Sequence, residues 1–211
     1  MKKRSKHSIN KFIIFVSLVY TNSIYPSDSY KFNSYNNYGI VGTIHTSSAR
    51  TFKEGVHGAT LYKGTPNQTV TLSASPFDWL EASFFYTSIT DRPYCRDFTS
   101  KYCLQDFKDK GFNVKARLKE QGVFPAVAIG LNDFAGTGIY SSEYIVGSYG
   151  INRTDFHFGI GFGLLNGSDL RFKNPFGYLS DNFYDRPDGL EDKGGSFQPS
   201  RYFSGKTASP F

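Results

Sequence analysis

Apolar and polar residues alternate along much of the chain with a period of two. In the stretch GFNVKARLK (residues 111–119), one face carries Phe112, Val114, Ala116 and Leu118, and the other carries Asn113, Lys115, Arg117 and Lys119. Successive side chains of a β-strand point to opposite sides of the sheet. The pattern therefore predicts a half-buried strand.

The most regular alternation lies in TDFHFGIGFGLL (residues 154–165). Here Phe, Ile and Leu side chains share one face, while the opposite face carries Asp155, His157 and three glycines. Glycine in a strand interior often marks a bend or a close approach of another group. This segment is predicted to be a curved strand with little room on its glycine side.

Five weaker segments of the same kind bring the number of predicted strands to seven, and no stretch indicates a convincing helix. The five are HGATLY from His57, Thr69 to Ser75, Trp79 to Ile89, Pro125 to Asp133, and Ser141 to Tyr149. Parallel strands would need crossover connections of about a dozen residues or more, which this spacing does not provide. We therefore expect an all-β fold with an antiparallel meander.

The predicted connections, from the second onward, alternate between short and long. Short turns at one end of a sheet and longer loops at the other are typical of outer-membrane barrels. Several strands also approach the ~9–11 residues that cross a bilayer at a tilt. We expect the meander to be part of an outer-membrane β-barrel. A soluble β-sandwich stays open as an alternative, because periodicity does not distinguish lipid from a protein core.

The positive charge of the chain is concentrated at its beginning. The sequence has 24 basic and 18 acidic residues, a formal charge of +6. Five basic residues precede the first acid, Asp28, and without them 24 falls to 19 against 18 acids. Nucleic-acid binding is therefore not expected.

These first residues are typical of a secretory signal. The basic start runs into FIIFVSLVY, which is too short to span a bilayer, and then into small and polar residues. We assign residues 1–25 to a signal peptide, 26–55 to an irregular lead-in and 56–211 to the barrel segment. A lipid anchor is not expected, since no Cys is near the region of cleavage. An amphipathic first helix of a cytosolic protein is the alternative.

The predicted export of the chain bears on the redox state of its two cysteines. Cys95 and Cys103 lie in a polar stretch, at a spacing that allows a disulfide-closed loop in an oxidising compartment. Free thiols are the alternative. A metal site is not expected, because no His lies nearby to complete a ligand set, and no cofactor is predicted.

The run LNDFAGTGIYSSEYIV (residues 131–146) resembles catalytic sequence at first sight. Its polar and glycine positions are Asp133, Gly136, Gly138, Ser141, Ser142 and Glu143. A phosphate loop would need a helix after it, whereas the chain continues as strand, so we predict a turn. A hydrolase using Ser142 and His157 is a weaker alternative.

Lys115, Arg117 and Lys119 form a basic row on one side of one strand. In a barrel this row would point into the lumen and could guide anionic sugars. A solvated surface is the alternative.

Several motifs together resemble those of the YjbH family, also labelled WbfB or GfcD. They are SSAR (47–50), SPFDWLEASFFYTSI (75–89), KDKGFNVKARL (108–118), FPAVAIGLNDFAGTGIYSSEYIV (124–146) and FKNPFGYLSDNF (172–183). The resemblance implies an outer-membrane barrel that takes part in exopolysaccharide or capsule secretion beside other export proteins. It carries no established catalytic residues, so we do not expect an enzyme. The alternative function is a soluble periplasmic or secreted domain that binds glycans.

Two departures from the family bear on this interpretation. Ser47 stands where the family usually has Pro before Ser-Ala-Arg. Family members are also several hundred residues long, and seven strands are fewer than the eight of the smallest common barrels. We therefore expect the barrel segment to be truncated at its C-terminal end. Closure by association with another chain is the alternative.

Overall fold

A meander of seven long strands forms the main body of the protein. The computed structural model describes residues 33–94, 105–167, 169–189 and 195–211. The proposed signal peptide and both cysteines therefore lie outside the described residues. The short strands β1 (Gly42–Thr43) and β2 (Thr46–Ser47) precede the meander as a separate two-stranded hairpin.

The seven predicted strands are confirmed, each in its predicted place. They are β3 (His57–Lys63), β4 (Asn67–Phe77), β5 (Leu80–Tyr94), β6 (Gln105–Lys119), β7 (Ala126–Phe134), β8 (Ser142–Ile151) and β9 (Thr154–Gly163). Every neighbouring pair is antiparallel. The all-β prediction therefore holds.

β5 and β6 are longer than their sequence patterns predict. Each has 15 residues, and pairing continues to Tyr94 opposite Gln105. The sequence pattern predicts one strand ending at Ile89 and the next beginning at Gly111, which makes residues 90–110 a long loop, and this was wrong at both ends. In β5 the alternation ends at Ile89 because the register shifts between Ile89 and Pro93, and such an irregularity breaks the period of two.

Two further strands and three short 3-10 helices follow the meander. They are β10 (Phe172–Lys173), β11 (Thr207–Pro210), and the helices Pro175–Tyr178, Asp181–Tyr184 and Pro199–Arg201. We call residues 169–211 the tail. Asn174 organises it, because its side-chain amide donates to the carbonyls of Phe183, Phe203 and Gly205. The sequence pattern did not reveal these elements, since no alternation marks them.

The main sheet has nine strands in the order β10-β11-β9-β8-β7-β6-β5-β4-β3. Within the described residues it is open, with β3 and β10 as its edge strands. β11 joins it by pairing Ser209 with Gly161 and Pro210 with Ile160 of β9. In the described part of the chain, no helix is long and apolar enough to cross a membrane.

The glycine side of β9 is crowded, as its sequence pattern predicts. A Cβ at Gly159 would collide with the ring of Phe211, and one at Gly161 would collide with Leu165. Both partners belong to a small apolar cluster with Ala128, Tyr144 and Val146. Glycine is needed here because other groups approach the strand closely.

Candidate functional site: the filled inner face of the sheet

The two faces of the main sheet differ in burial and polarity. Glu81 pairs with Lys115, Lys115 with Gly130, and Gly130 with Tyr144, so these four residues share one face. We call it the inner face and its opposite the outer face. Buried polar residues of the inner face include Thr71, Ser73, Glu81, Ser83, Thr87, Asn113, Lys115 and Ser148.

The outer face carries large apolar side chains that nothing in the described chain covers completely. Leu72 is 58% exposed, Phe112 50% and Phe158 54%. Water-soluble proteins normally show the opposite arrangement, with apolar side chains inside and charged ones outside. The sheet is therefore inverted in polarity.

The N-terminal segment, which we define as residues 33–52, lies on the inner face. Inner-face side chains bind its backbone directly. Ser73 donates to the carbonyl of Gly39 at 2.6 Å, and Asn113 donates to that of Tyr38 at 2.8 Å. Ser83 donates to the same Tyr38 carbonyl at 2.5 Å. The segment is thus attached to the main sheet through side-chain hydrogen bonds.

A buried ion pair holds the middle of the N-terminal segment. Lys115 Nζ lies 2.8 Å from Glu81 Oε2, and both side chains are almost completely buried. The ammonium also donates to the carbonyls of Val41 and Arg50, at 2.9 and 2.5 Å. Glu81 in turn accepts the N–H groups of Val41 and Phe52. Each buried charge is therefore paired and hydrogen-bonded, as burial of charge requires.

The SSAR motif fastens the end of the N-terminal segment to β8 and β9. Arg50 makes two hydrogen bonds to the carboxylate of Asp155, at 2.9 and 2.7 Å, and a third to Gln121. The N–H of Ala49 donates to Ser148 Oγ at 2.8 Å. The bidentate geometry gives the contact both strength and orientation.

The residues of the predicted basic row have different environments. Lys115 is buried against Glu81, whereas Arg117 forms an ion pair of 2.6 Å with Glu120. Lys119 is exposed and lies over the ring of Phe124, 4.6 Å from its centroid. The first two charges are therefore neutralised by partners, and the guidance of anionic sugars by this row stays a prediction.

The glycine-rich motif forms the loop between β7 and β8, as the turn interpretation expects. Asp133 has a φ of 54°, and its Oδ2 accepts the N–H groups of Gly138 and Tyr140 at 2.8 and 3.0 Å. A Cβ at Gly136 would collide with the same carboxylate. Ser142 is buried, and its Oγ accepts a hydrogen bond from Asn132.

Glu143, the last residue of the predicted motif, faces away from the N-terminal segment. Arg186 of the tail binds its two carboxylate oxygens at 2.7 and 2.8 Å. Arg186 also donates to Ser141 Oγ, and the N–H of Phe203 donates to Glu143. These motif residues therefore attach the tail to the outer side of β8.

The structure does not bring Ser142 and His157 together. His157 is paired with Ser148, whereas Ser142, six positions earlier on β8, is paired with Gly163. Six residues of strand span about 20 Å, so the Ser142 and His157 hydrolase is wrong on geometry. His157 Nδ1 instead lies 2.8 Å from Ser148 Oγ, which is buried beneath Ala49.

A cavity of about 210 Å³ remains between the N-terminal segment and one end of the sheet. Its lining is Asn37, Tyr38, His45, Tyr62, Asn67, Thr69, Phe85, Thr87, Asn113, Tyr140 and Leu164. The hydroxyl of Tyr140 donates to Asn67 Oδ1 at 2.8 Å. Burial, followed by the charge of Asp109, raises the pKa of the Tyr140 phenol to about 12.

The sequence analysis predicted neither the cavity nor the position of the N-terminal segment on the inner face. The lining comes from the N-terminal segment, four strands, one loop and the chain after β9, so no local motif marks it. The concentration of Asn and Tyr in SYNNY (residues 34–38) was the available signal. Among the described residues, no group of acidic, His or Cys side chains could hold a metal ion.

Over the described residues, these features define an all-β protein built on an open antiparallel sheet whose polar face is covered by its own N-terminal segment. The profile of the YjbH family, described as exopolysaccharide biosynthesis protein YbjH, matches residues 34–211. The chain belongs to this family. The match begins at the N-terminal segment and therefore includes every element of the inner face.

A protein of Escherichia coli (strain K12) named "Uncharacterized lipoprotein YjbH" is 32% identical over 208 residues. The alignment covers 97% of this chain and 28% of the relative. The chain thus spans about a quarter of the length of that curated relative. No solved structure gives a significant match.

Proposed function

We propose that this chain forms part of an outer-membrane β-barrel that takes part in the secretion of an exopolysaccharide without catalysing a reaction. Its partners would be the outer-membrane lipid, the polysaccharide and other proteins of an export system. The family description supports the link to exopolysaccharide. Because the chain spans 28% of its relative, the role is proposed for the larger assembly to which this sheet contributes.

The inverted polarity of the sheet carries the proposal. An outer-membrane barrel presents an apolar band to lipid and encloses a polar interior. Phe112, Phe156 and Phe158 are each at least half exposed on the outer face, while Lys115 is fully buried on the inner face. In water, such an apolar surface would favour aggregation or association with another protein.

The connections between strands give further support. At one end of the sheet, the β4–β5 and β8–β9 connections have two residues each and the β6–β7 connection has six. At the other end, the β3–β4 connection has three residues, the β7–β8 loop has seven, and the long tail follows β9. An open sheet in lipid would leave unpaired backbone groups at its edges, which costs several kcal/mol for each group. The proposal therefore requires further strands to pair with β3 and β10.

The absence of catalysis is supported by the way the reactive groups are used. Ser148, His157 and Asp155 stand near one another, but Ser148 Oγ already accepts the N–H of Ala49. Asp155 is bound by Arg50. A nucleophile must reach its substrate, whereas Ser148 is fully buried. These residues fasten the N-terminal segment, and this use leaves no exposed nucleophile among them.

A soluble glycan-binding domain is the second candidate, because the cavity is lined by tyrosines, amides and hydroxyls. Refolding separates the two. The unfolded full chain would be diluted into buffer, into detergent micelles and into lipid vesicles, and its β-structure would be followed by circular dichroism. We expect β-structure in micelles and vesicles, where edge strands β3 and β10 of different copies can pair, and aggregation in buffer. A stable monomer in buffer alone would contradict the membrane proposal.

Secretion itself requires a test in the cell that makes this protein. Deleting the gene should reduce extracellular polysaccharide while polymer is retained inside the cell envelope. Restoring the unmodified gene should restore release, and a variant with Phe112→Leu serves as a control that keeps the outer face apolar. If the deletion changed neither the amount of extracellular polysaccharide nor the amount of polymer retained in the cell envelope, this would contradict a role in secretion.

A further inference from the structure

The lining of the cavity beside the N-terminal segment combines aromatic side chains with uncharged hydrogen-bonding groups. Its aromatic side chains are Tyr38, Tyr62, Phe85 and Tyr140, and its other polar side chains are amides, hydroxyls and one imidazole. None of the lining residues is Lys, Arg, Asp or Glu. A site of this composition offers hydrogen-bond donors, acceptors and aromatic surface without a permanent charge.

The polar groups of the cavity are already positioned by contacts with one another. Tyr140 is held by its hydrogen bond to Asn67 and by an edge contact with Phe85, whose ring centroid lies 6.1 Å away. Thr69 and Thr87 share a hydrogen bond of 2.7 Å across β4 and β5. Such preorganisation lowers the cost of ordering side chains when a ligand binds.

The basic residues that hold the N-terminal segment lie outside the cavity lining. Lys115 is paired with Glu81, and Arg50 with Asp155. A polyanion would therefore meet no cationic side chain among the lining residues. The cavity volume of about 210 Å³ is smaller than the ~300–1,000 Å³ of drug-sized sites, which favours one small ring over a long segment of polymer.

We propose that this cavity binds a single neutral sugar residue of the polysaccharide. The inference rests on the proposed function for its ligand class, and on the composition and size of the cavity for the choice of a neutral sugar. Amides and hydroxyls pair with sugar hydroxyl groups, while tyrosine and phenylalanine rings cover its less polar faces. The N-terminal segment forms one wall, so Asn37, Tyr38 and His45 contribute directly to the site.

Binding would be measured on the folded full chain with a panel of neutral and anionic oligosaccharides. The panel contains tetramers of glucose, galactose, N-acetylglucosamine and 6-deoxyhexoses, together with tetragalacturonate as the anionic probe. Saturation-transfer NMR reports weak binding and shows which ring contacts the protein. We expect at least one neutral tetramer to bind through one residue, with weaker binding of tetragalacturonate.

Two variants assign binding to the cavity. Asn67→Ala removes the partner of the Tyr140 hydroxyl, and Tyr62→Ala removes an aromatic wall. Each should weaken binding about tenfold, which corresponds to about 1.4 kcal/mol and is of the size expected for a lost hydrogen bond or aromatic contact. Tyr86→Ala is the matched control, because Tyr86 lies on the outer face of β5 between Phe85 and Thr87.

The binding and folding measurements test the sugar site and the membrane role separately. Binding in buffer without a need for detergent would overturn the membrane role and keep the sugar site. Folding in micelles without binding to any neutral tetramer would overturn the sugar site alone. Unchanged affinity in both cavity variants, or preferred binding of tetragalacturonate, would equally contradict a neutral-sugar site in this cavity.

Discussion

The inner and outer faces of the same strands follow opposite rules. On β6, Lys115 is fully buried while Phe112, three positions away on the other face, is half exposed. The inner face is stabilised by the Glu81–Lys115 ion pair between two of its strands, and by the Arg50–Asp155 ion pair and hydrogen bonds to the N-terminal segment. The outer face has no comparable covering over Phe112, Phe156 and Phe158.

The N-terminal segment covers the inner face, and under the proposed membrane role lipid would cover the outer face. Burial of Glu81 and Lys115 is tolerated because the backbone of Val41, Arg50 and Phe52 completes their hydrogen bonds. Exposure of the aromatic residues is tolerated where lipid replaces water. The following predictions test each face separately.

The largest effect is expected for Lys115→Met on the inner face. The substitution leaves the Glu81 carboxylate buried without its cation and removes the donor to Val41 and Arg50. Breaking such a pair costs about 3–5 kcal/mol. The free energy of unfolding, measured by urea titration in micelles, should fall by this amount.

Lys119→Met is the control for that substitution, since Lys119 lies at the exposed end of the same strand. It should change the free energy of unfolding by less than about 0.5 kcal/mol. The double variant Glu81→Met with Lys115→Met should be less destabilised than Lys115→Met alone. Equal stability of Lys115→Met and the unmodified protein would contradict the role of the ion pair.

A smaller effect is expected for Phe112→Lys on the outer face. If this face meets lipid, a lysine at the middle of a strand costs about 2–4 kcal/mol. Leu179→Lys in the tail is the control, because Leu179 is 77% exposed and outside the main sheet. Urea titration in lipid vesicles measures both. A cost for Phe112→Lys no larger than that for Leu179→Lys would argue against lipid contact.

The smallest effect concerns the pH dependence of the loop residue Tyr140. Its folded pKa is raised to about 12 from an ordinary 10.0, first by burial and then by Asp109. A raised pKa stabilises the fold fully below the unfolded value and loses that contribution as the pH rises through the folded value. Stability should therefore decline between about pH 10 and 12.

Tyr140→Phe should make this alkaline decline shallower, because phenylalanine does not titrate. Tyr178→Phe provides the comparison, since Tyr178 is 79% exposed in the tail. Unfolding free energies at several pH values from about 9 to 11.5 give the slopes. A steeper decline in Tyr140→Phe than in the unmodified protein would be inconsistent with the raised pKa.

Much of the sheet could be predicted because strand periodicity is local. The alternation in residues 111–119 and 154–165 led directly to β6 and β9, and the glycine side of β9 is as crowded as expected. The tail could not be predicted in this way. Its order depends on contacts such as Asn174 with Phe203, which are distant in sequence.

The candidate site was predicted only in part. The turn around Asp133 follows from its glycines, and the structure contains that turn. The partner of Lys115 is Glu81, 34 positions earlier, and no local pattern relates the two. The cavity at Asn67 and Tyr140 likewise joins a strand to a distant loop. The Glu81–Lys115 ion pair and the cavity both form only when strands distant in sequence pair with one another.

The sequence by itself determined the strands, their antiparallel order and the segregation of apolar and polar residues to opposite faces. It could do so because a side chain's face depends only on its position along a strand. Only the tertiary structure decided which face is buried and what covers it. The covering N-terminal segment lacks periodicity, and its position depends on buried side chains that come together when the sheet forms.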